Sequence, residues 1–371
     1  MHIAVFCHNH PPHPGGLEVM VQSVTRELAR RGHRLTVVTT AWGDARGVSE
    51  EEGVTLHRLP AVHRSEVFGV PWPLPLGAGL ATALRAAQQA NIVHAHGALY
   101  ATSVMAVRAS RAARVPLVLT EHVGFVQYRR ELLNEIQRAA WATVGDRLVA
   151  AAHRLNALNS RVVDWLSARV PGRQVRFIGN GVDSAAFRPR PEAERRALRE
   201  ALGLPQDELL VLFVGRQSEK KNLEFALDMP RQGFRLVVCG APRTLPPDVV
   251  NLGVLPHGQM PDLYAAVDLM LNPSVGEGFP LALQEAMASG LPVALLWDDG
   301  YAQWLDRDVP AACSTLDELR ATLLALIGDP ERRAVLAARA REWATSRWSW
   351  EATAAAYEAM YEDALENRAR V

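Results

Sequence analysis

Two glutamates, Glu277 and Glu285, stand eight residues apart (285 − 277) in the run NPSVGEGFPLALQEAMASGLP, Asn272 to Pro292. The apolar stretch Val267 to Leu271 before it reads as a buried strand. A Gly- and Ser-rich turn follows, and then a helical pattern from Pro280 to about Ser289. Pro280 suits the first helical position, and Gly290 and Pro292 end the helix. Glu277 therefore sits in the loop, and Glu285 more than one turn inside the helix. Between them the helix N-terminus offers unpaired N–H groups and a positive dipole end, which suit phosphate. Two carboxylates can then take hydroxyls on either side of the phosphates. A ligand that carries hexose, diphosphate and ribose in that order is a nucleotide sugar. An arbitrary pair of helix glutamates is more often solvated surface, so the flanking residues must decide.

A diphosphate also needs cations. Of the 40 basic residues, only Lys220 and Lys221 are lysine, and Lys221 lies five residues after Arg216 (221 − 216). A chain that uses Arg elsewhere keeps a compact point charge here. The strand Leu209 to Val214 ends at Gly215-Arg216, and Lys221 precedes a helix expected over Asn222 to Met229. Coulomb attraction between such cations and a diphosphate is largest where water is excluded.

The full run Ser274 to Val293, S-x-x-E-G-F-P-x-x-x-x-E-A-M-A-x-G-x-P-V, closely resembles the E-x7-E signature of the retaining glycosyltransferases of the GT-B fold, the glycogen synthase-like and mannosyltransferase-like family. That resemblance implies that Glu277 contacts the donor sugar and Glu285 the ribose, beside Gly278, Phe279, Pro280 and Leu281 at the helix start. Gly215-Arg216 to Lys221 resembles the family's G-R-x-x-x-x-K site, whose cations hold the donor pyrophosphate. Leu252 to Met260, with Leu255, resembles the loop that meets the base through its backbone.

The likeness extends to the first half of the chain. Gly15, Gly16 and Glu18 match the amino-terminal G-G-x-E loop, with Gly16 placed at the donor. His94-Ala95-His96 resembles the V-H-A-H turn, and Asn180-Gly181-Val182-Asp183 the interdomain segment. His122 follows the strand Leu117 to Thr120, where the family keeps a His beside the donor sugar and the reacting bond. It is the first catalytic candidate in this half, with Glu277, Arg216 and Lys221 in the other. Gly15, His10, His13 and His96 are expected on the acceptor side. His8, His10 and His13 also invite a metal reading, but the prolines between them fix a loop with no evident Cys or carboxylate partner. No metal and no cofactor is expected.

The elements that must position these groups follow a βα alternation. A strand at Ile3 to Cys7, a helix from about Glu18 to Arg31 and a strand at Leu35 to Thr40 form a doubly wound start without G-x-G-x-x-G. Strands at Val54 to Leu59, Ile92 to His94, Leu155 to Leu158, Val175 to Ile178 and Leu236 to Gly240 continue it. A proline-punctuated loop, Val67 to Leu76, reads as half buried. A long helical stretch, Tyr128 to about Ala152, read as one helix or two, carries Arg129, Arg130, Arg138 and Arg147. A helix from Asp262 to Ala266 feeds the opening strand. Gly15–Gly16, His94–His96, His122, Arg216 and Glu277 each follow the carboxyl end of an expected strand, where open α/β sheets bind ligands.

A chain of 371 residues suggests two domains. The expected fold is α/β and GT-B: two Rossmann-like doubly wound parallel-sheet domains facing across a cleft. Residues 1–182, with the terminal helix 349–371 crossing back, form the acceptor domain, and residues 183–348 the donor domain. The reaction expected is transfer of a hexosyl unit from a UDP- or GDP-type sugar to a hydroxyl acceptor such as a glycan, lipid or small metabolite.

Charge and cysteines narrow the setting. Residues 1–180 hold 20 Arg and 12 Asp+Glu, a net of +8, and residues 181–371 hold 20 Lys+Arg and 28 Asp+Glu, a net of −8. The basic half suits an anionic acceptor or a peripheral contact with a membrane, and equally two solvated surfaces of opposite sign. No partnership with nucleic acid is expected. Three cysteines without metal spacing, no long apolar run and no signal-peptide pattern point to a cytoplasmic setting, at most peripheral to a membrane.

One stretch departs from the family. Where many members carry a second Gly-Gly and a Glu, the chain reads Trp297-Asp298-Asp299-Gly300-Tyr301-Ala302-Gln303-Trp304. Asp298-Asp299 reads as a turn with a helix N-cap. The departure keeps a catalytically inactive nucleotide-sugar-binding scaffold open, and a nucleotide-sugar epimerase or a phosphorylase could share the fold. A glycosidase would need two carboxylates facing across the bond, which a loop Glu and a helix Glu beside phosphate-type cations do not suggest.

Overall fold

The computed structural model describes residues 1–63, 72–127, 130–241 and 244–367. The chain forms two compact units, Met1–Gly179 with Trp350–Val371, and Asn180–Ser349. Residues 67–71 of the Val67 to Leu76 loop, and Tyr128 and Arg129, lie outside the described residues.

In the first unit, runs rich in Val, Ile and Leu form a sheet buried on both faces, as parallel strands must be. Its strands are β1 (His2–Phe6), β2 (Arg34–Thr40), β3 (Gly47–Glu51) and β4 (Val54–Leu59). A two-residue pair, β5 (Ala61–Val62) and β6 (Leu74–Pro75), stands apart. The sheet continues with β7 (Ile92–His96), β8 (Leu117–Glu121), β9 (Arg154–Ala157) and β10 (Val175–Phe177). The order is β10-β9-β8-β7-β1-β2-β4-β3, and only β3 runs antiparallel. β3 was not expected. Its sequence GVSEE is largely exposed, so no apolar run marked it, and pairing with β4 alone holds it.

The helices of this unit are α1 (Gly16–Arg30), α2 (Gly79–Gln89), α3 (Ala101–Ala113), α4 (Glu131–Ala140), α5 (Asp146–Ala151) and α6 (Ser160–Ser167). The stretch expected as one or two helices is continuous from Glu131 to Ala151, because Trp141–Gly145 between α4 and α5 is a π-helical segment. Such segments insert one residue and re-aim the turn. Here the segment buries Trp141 edge-on against Trp165, ring centroids 4.4 Å apart.

The second unit holds α7 (Glu192–Ala201), β11 (Leu210–Val214), α8 (Leu223–Leu227), β12 (Arg235–Cys239), β13 (Val249–Asn251), α9 (Met260–Ala266) and β14 (Leu269–Asn272). It continues with α10 (Leu281–Ala288), β15 (Val293–Leu296), β16 (Ala311–Cys313), α11 (Leu316–Gly328) and α12 (Pro330–Arg347). Its sheet is parallel throughout, in the order β13-β12-β11-β14-β15-β16.

The terminal helix, α13 (Trp350–Glu366), belongs to the first unit. Arg154 grips Asp363 with two nitrogens at 2.6 and 2.8 Å, and Arg176 adds a third bond at 2.6 Å. The Arg154 hydrogen bond holds the Asp363 carboxyl down to about 2. Thr353 donates to the Gly179 carbonyl at 2.9 Å, and Tyr357 and Tyr361 are fully buried. Among the described residues no helix is long and apolar enough to cross a membrane.

Candidate functional site

In the second unit the groups gather at the carboxyl edge of the parallel sheet, the edge at which open α/β sheets bind ligands. β11 runs into Gly215-Arg216, and β14 into the turn that carries Glu277. Lys221 Nζ lies 3.2 Å from Glu277 Oε1, with both side chains mostly buried. The lysine stem lies over Gly215, where an added Cβ would stand 2.9 Å from Lys221 Cδ. Arg216 is exposed and makes no ion pair among the described residues.

The neighbouring Lys220 also belongs to the site. Its Nζ donates to the Gly276 carbonyl at 3.1 Å, and its own carbonyl accepts from the Val275 N–H at 2.8 Å. The two lysines thus hold the glutamate turn from both sides. Adjacency in the sequence marked them as a pair, but gave Lys220 no role.

α10 begins at Leu281, one residue later than expected. Pro280 is extended (φ −70, ψ 124) and serves as N-cap, and no side chain caps the helix. Its first N–H groups have no intrahelical acceptor and can receive an anion. Phe279 faces inward. Its ring is 3 % exposed, packed against Trp304, Tyr301 and Trp348 at 5.3 to 5.7 Å, so only its backbone can face a ligand. Pro280 and Leu281 are buried likewise, and Gly278 supplies backbone alone. The WDDGYAQW stretch explains this packing: Tyr301 and Trp304 come from it, and Asp298 accepts from the Gly300 N–H at 2.9 Å.

Glu285 is buried and held at both oxygens. His257 Nε2 lies 2.7 Å from Oε1, and Tyr264 donates to Oε2 at 3.1 Å. Burial, then the Glu285 charge, pushes the Tyr264 phenol well above its ordinary value, so it stays a donor. Neither residue was expected here. His257 lies in the loop with Leu255, and its imidazole in an exposed turn was the available signal. Leu255 packs its side chain on the core.

In the first unit, four histidines converge at the same kind of edge. His8 follows β1, His96 ends β7 and His122 follows β8. His96 Nδ1 lies 3.1 Å from His122 Nε2. His8 stacks on Tyr100 at 3.8 Å. His94, one layer below, meets Tyr361 Oη at 2.8 Å through Nδ1 and Thr120 Oγ1 at 2.9 Å through Nε2. Burial, then repulsion from neighbouring imidazoles, lowers His94 and His122 to about 3 and His96 well below its ordinary value. All three are neutral near pH 7.

Glu121 organises the turn that presents His122. Its buried carboxylate accepts from the N–H groups of Ala98, His122, Val123 and Gly124 at 2.8 to 3.4 Å. Burial raises its pKa, and the four N–H bonds oppose the rise.

Two further acceptor-side expectations divide. His13 lies 2.7 Å from Glu18, whose carboxylate folds over Gly15. An added Cβ at Gly15 would stand 2.2 Å from Glu18 Oε2, so a side chain here would have to displace that carboxylate, and Gly16 opens α1 just behind it. Burial opposes ionisation of Glu18, but the His13 hydrogen bond and the nearby imidazoles outweigh it and its pKa falls. His10 lies apart from the cluster. It is buried beside Arg58 and Glu51, with Nδ1 3.3 Å from the Pro11 carbonyl, and burial lowers it to about 4. His8 is the one that joins the cluster, beside His96 and His122.

Among the described residues no group of three or more His, Cys, Asp or Glu side chains is arranged to hold a metal ion. Residues 14–186 match the family described as Glycosyltransferase Family 4, and residues 194–343 that described as Glycosyl transferases group 1. The chain is similar to the D-inositol 3-phosphate glycosyltransferase of Xylanimonas cellulosilytica, with 29 % identity over 95 % of this chain and 93 % of that one. To the D-inositol 3-phosphate glycosyltransferase 1 of Catenulispora acidiphila it is 31 % identical over 95 % and 91 %. Among solved structures, HepE of Anabaena in complex with UDP-glucose superposes with a TM-score of 0.76 at 18 % identity, over 98 % of this chain and all of that one.

Proposed function

We propose a reaction for this chain, which belongs to the GT-B-fold glycosyltransferases of the family 4 and group 1 type: retaining transfer of a hexosyl unit from a nucleoside diphosphate sugar of UDP or GDP type to a hydroxyl of a small metabolite. The observation that carries the donor half is one constellation in the second unit. Lys221 stands against Glu277 before the uncapped α10, while Glu285 is clamped between His257 and Tyr264. The names of the relatives, which act on an inositol phosphate, support a small polyol acceptor over a polymer.

In this reading Lys221, Arg216 and the first N–H groups of α10 receive the diphosphate. They stabilise the charge that grows on it as the bond from the anomeric carbon to the phosphate oxygen breaks. Glu277 orients the hexose hydroxyls and Glu285 the ribose. The acceptor oxygen bonds to the anomeric carbon from the leaving-group face, and its proton passes to the departing phosphate oxygen. Neutral His122 offers a hydrogen bond to the sugar without adding a like charge to an oxocarbenium-like centre. Because Arg and Lys carry the diphosphate charge, we expect turnover in the presence of a chelator.

Calorimetry with UDP, GDP, ADP and their hexose conjugates tests the reading, with Lys221→Ala and Glu285→Ala beside the parent. One nucleotide that binds and is weakened by both substitutions supports it. Binding without transfer to any polyol would favour an inactive scaffold, and release of free nucleotide without an acceptor an epimerase.

A further inference from the structure

At the opposite edge of the first sheet, where β8 and β9 begin, lies a cavity of about 850 Å³. That volume is in the range of small-molecule sites. Arg108, Arg111 and Arg114 reach it from the end of α3, Arg147 from α5, and His153 from the turn into β9. Val107, Val115 and Leu148 give it an apolar floor. No Asp or Glu lines it.

The four arginines also have no acidic partner among the described residues. The carboxylates nearby are already engaged: Asp146 with Arg169 at 3.2 Å, and Glu131 and Glu135 with Arg138. The backbone gives a second, independent sign. Arg114 is the C-cap of α3 in the left-handed conformation (φ 56, ψ 42), a place that glycine occupies without strain. A side chain held there against backbone preference points to a use for that side chain. Arg111, in the last turn, also complements the helix dipole, which accounts for one cation but not for four.

We propose that this cavity binds a phosphate-bearing ligand with an apolar portion, separately from the sheet edge that carries His122. The guanidinium groups would take the phosphate oxygens in pairs, and the apolar floor the adjoining carbon chain. The chemistry is shared by a soluble phosphomonoester and by an anionic phospholipid headgroup. The proposal does not depend on the reaction assigned above.

The test is methyl NMR of valine-labelled protein, read at Val107 and Val144, with three probes. These are inorganic phosphate, a short-chain phosphatidic acid below its micellar concentration, and vesicles of phosphatidylglycerol against phosphatidylcholine. The short-chain phosphatidate is expected to shift both valines saturably. Arg111→Ala/Arg147→Ala should weaken that binding at least tenfold, and Arg161→Ala should leave it unchanged. A response to phosphate alone that also depends on the two arginines assigns a soluble ligand. Arginine-dependent co-sedimentation with phosphatidylglycerol vesicles alone assigns a lipid surface. If no probe moves these methyls and no vesicle is bound through the two arginines, or the double variant binds as the parent does, the proposal is wrong. Thermal melting of the variants confirms that they fold.

Discussion

His96 Nδ1 stands 3.1 Å from His122 Nε2, so one imidazole fixes the tautomer of the other. With Nε2 of His122 turned to His96, its Nδ1 is the ring nitrogen not used in that contact. Both rings are neutral near pH 7. His122→Ala should lower kcat by about 100-fold with donor affinity unchanged, since a positioned hydrogen-bonding group contributes on that scale. His96→Phe should lower kcat by about tenfold and leave KM for the donor in place. Steady-state kinetics with both substrates varied would show this split, and a change in donor KM alone would remove His122 from the reacting bond.

The contact between Lys221 and Glu277 separates two kinds of binding. Lys221→Ala should weaken every nucleoside diphosphate by about 10–100-fold, or about 1.5–3 kcal/mol, as loss of a charged hydrogen bond does. Glu277→Gln should spare the free nucleoside diphosphate and weaken only its hexose conjugate. Titration calorimetry of the nucleotide beside its conjugate distinguishes the two.

Glu285 should matter for the nucleoside and not for the phosphates. Glu285→Gln is expected to weaken the nucleoside diphosphate about tenfold while binding of pyrophosphate is unchanged. Tyr264→Phe removes one support of that carboxylate and should cost about 1 kcal/mol of stability, measurable by denaturant unfolding. Equal losses for pyrophosphate and nucleotide would move Glu285 out of the ribose role.

The buried histidines predict the sense of the pH dependence. Their pKa values are about 3 in His94 and His122, lower than the ordinary 6.5 they regain on unfolding. The unfolded chain therefore binds more protons below pH 6.5, and stability falls as pH falls from about 6.5 toward 3. Thermal melting between pH 7.5 and 4.5 should show the decline. A double His94→Gln/His122→Gln variant should show a shallower one.

Asp363 ties the terminal helix to the first sheet through Arg154 and Arg176. Asp363→Asn should cost about 1–3 kcal/mol, because two partly buried guanidinium groups lose a carboxylate. Its folded pKa of about 2 lies below the ordinary 3.8, so the contribution is present above pH 3.8 and is lost as pH falls toward 2. Urea unfolding of the pair at pH 7 checks the size.

The sequence by itself determined the alternation of strands and helices, and the strand ends at which Arg216, Glu277, His96 and His122 stand. Parallel strands buried on both faces leave continuous apolar runs, and loops at their carboxyl ends are marked by Gly and polar residues. The E-x7-E run likewise placed Glu285 inside a helix and Glu277 before it. Only the tertiary structure decided what those groups touch. Glu285 is 28 residues from His257 (285 − 257), and His94 is 267 residues from Tyr361. No periodicity encodes such pairings, because they arise when separate elements pack. The same packing turned Phe279 into the aromatic core and set His10 beside Arg58. Spacing along the chain says which residues can share an edge; which way each side chain faces is settled by the neighbours it meets.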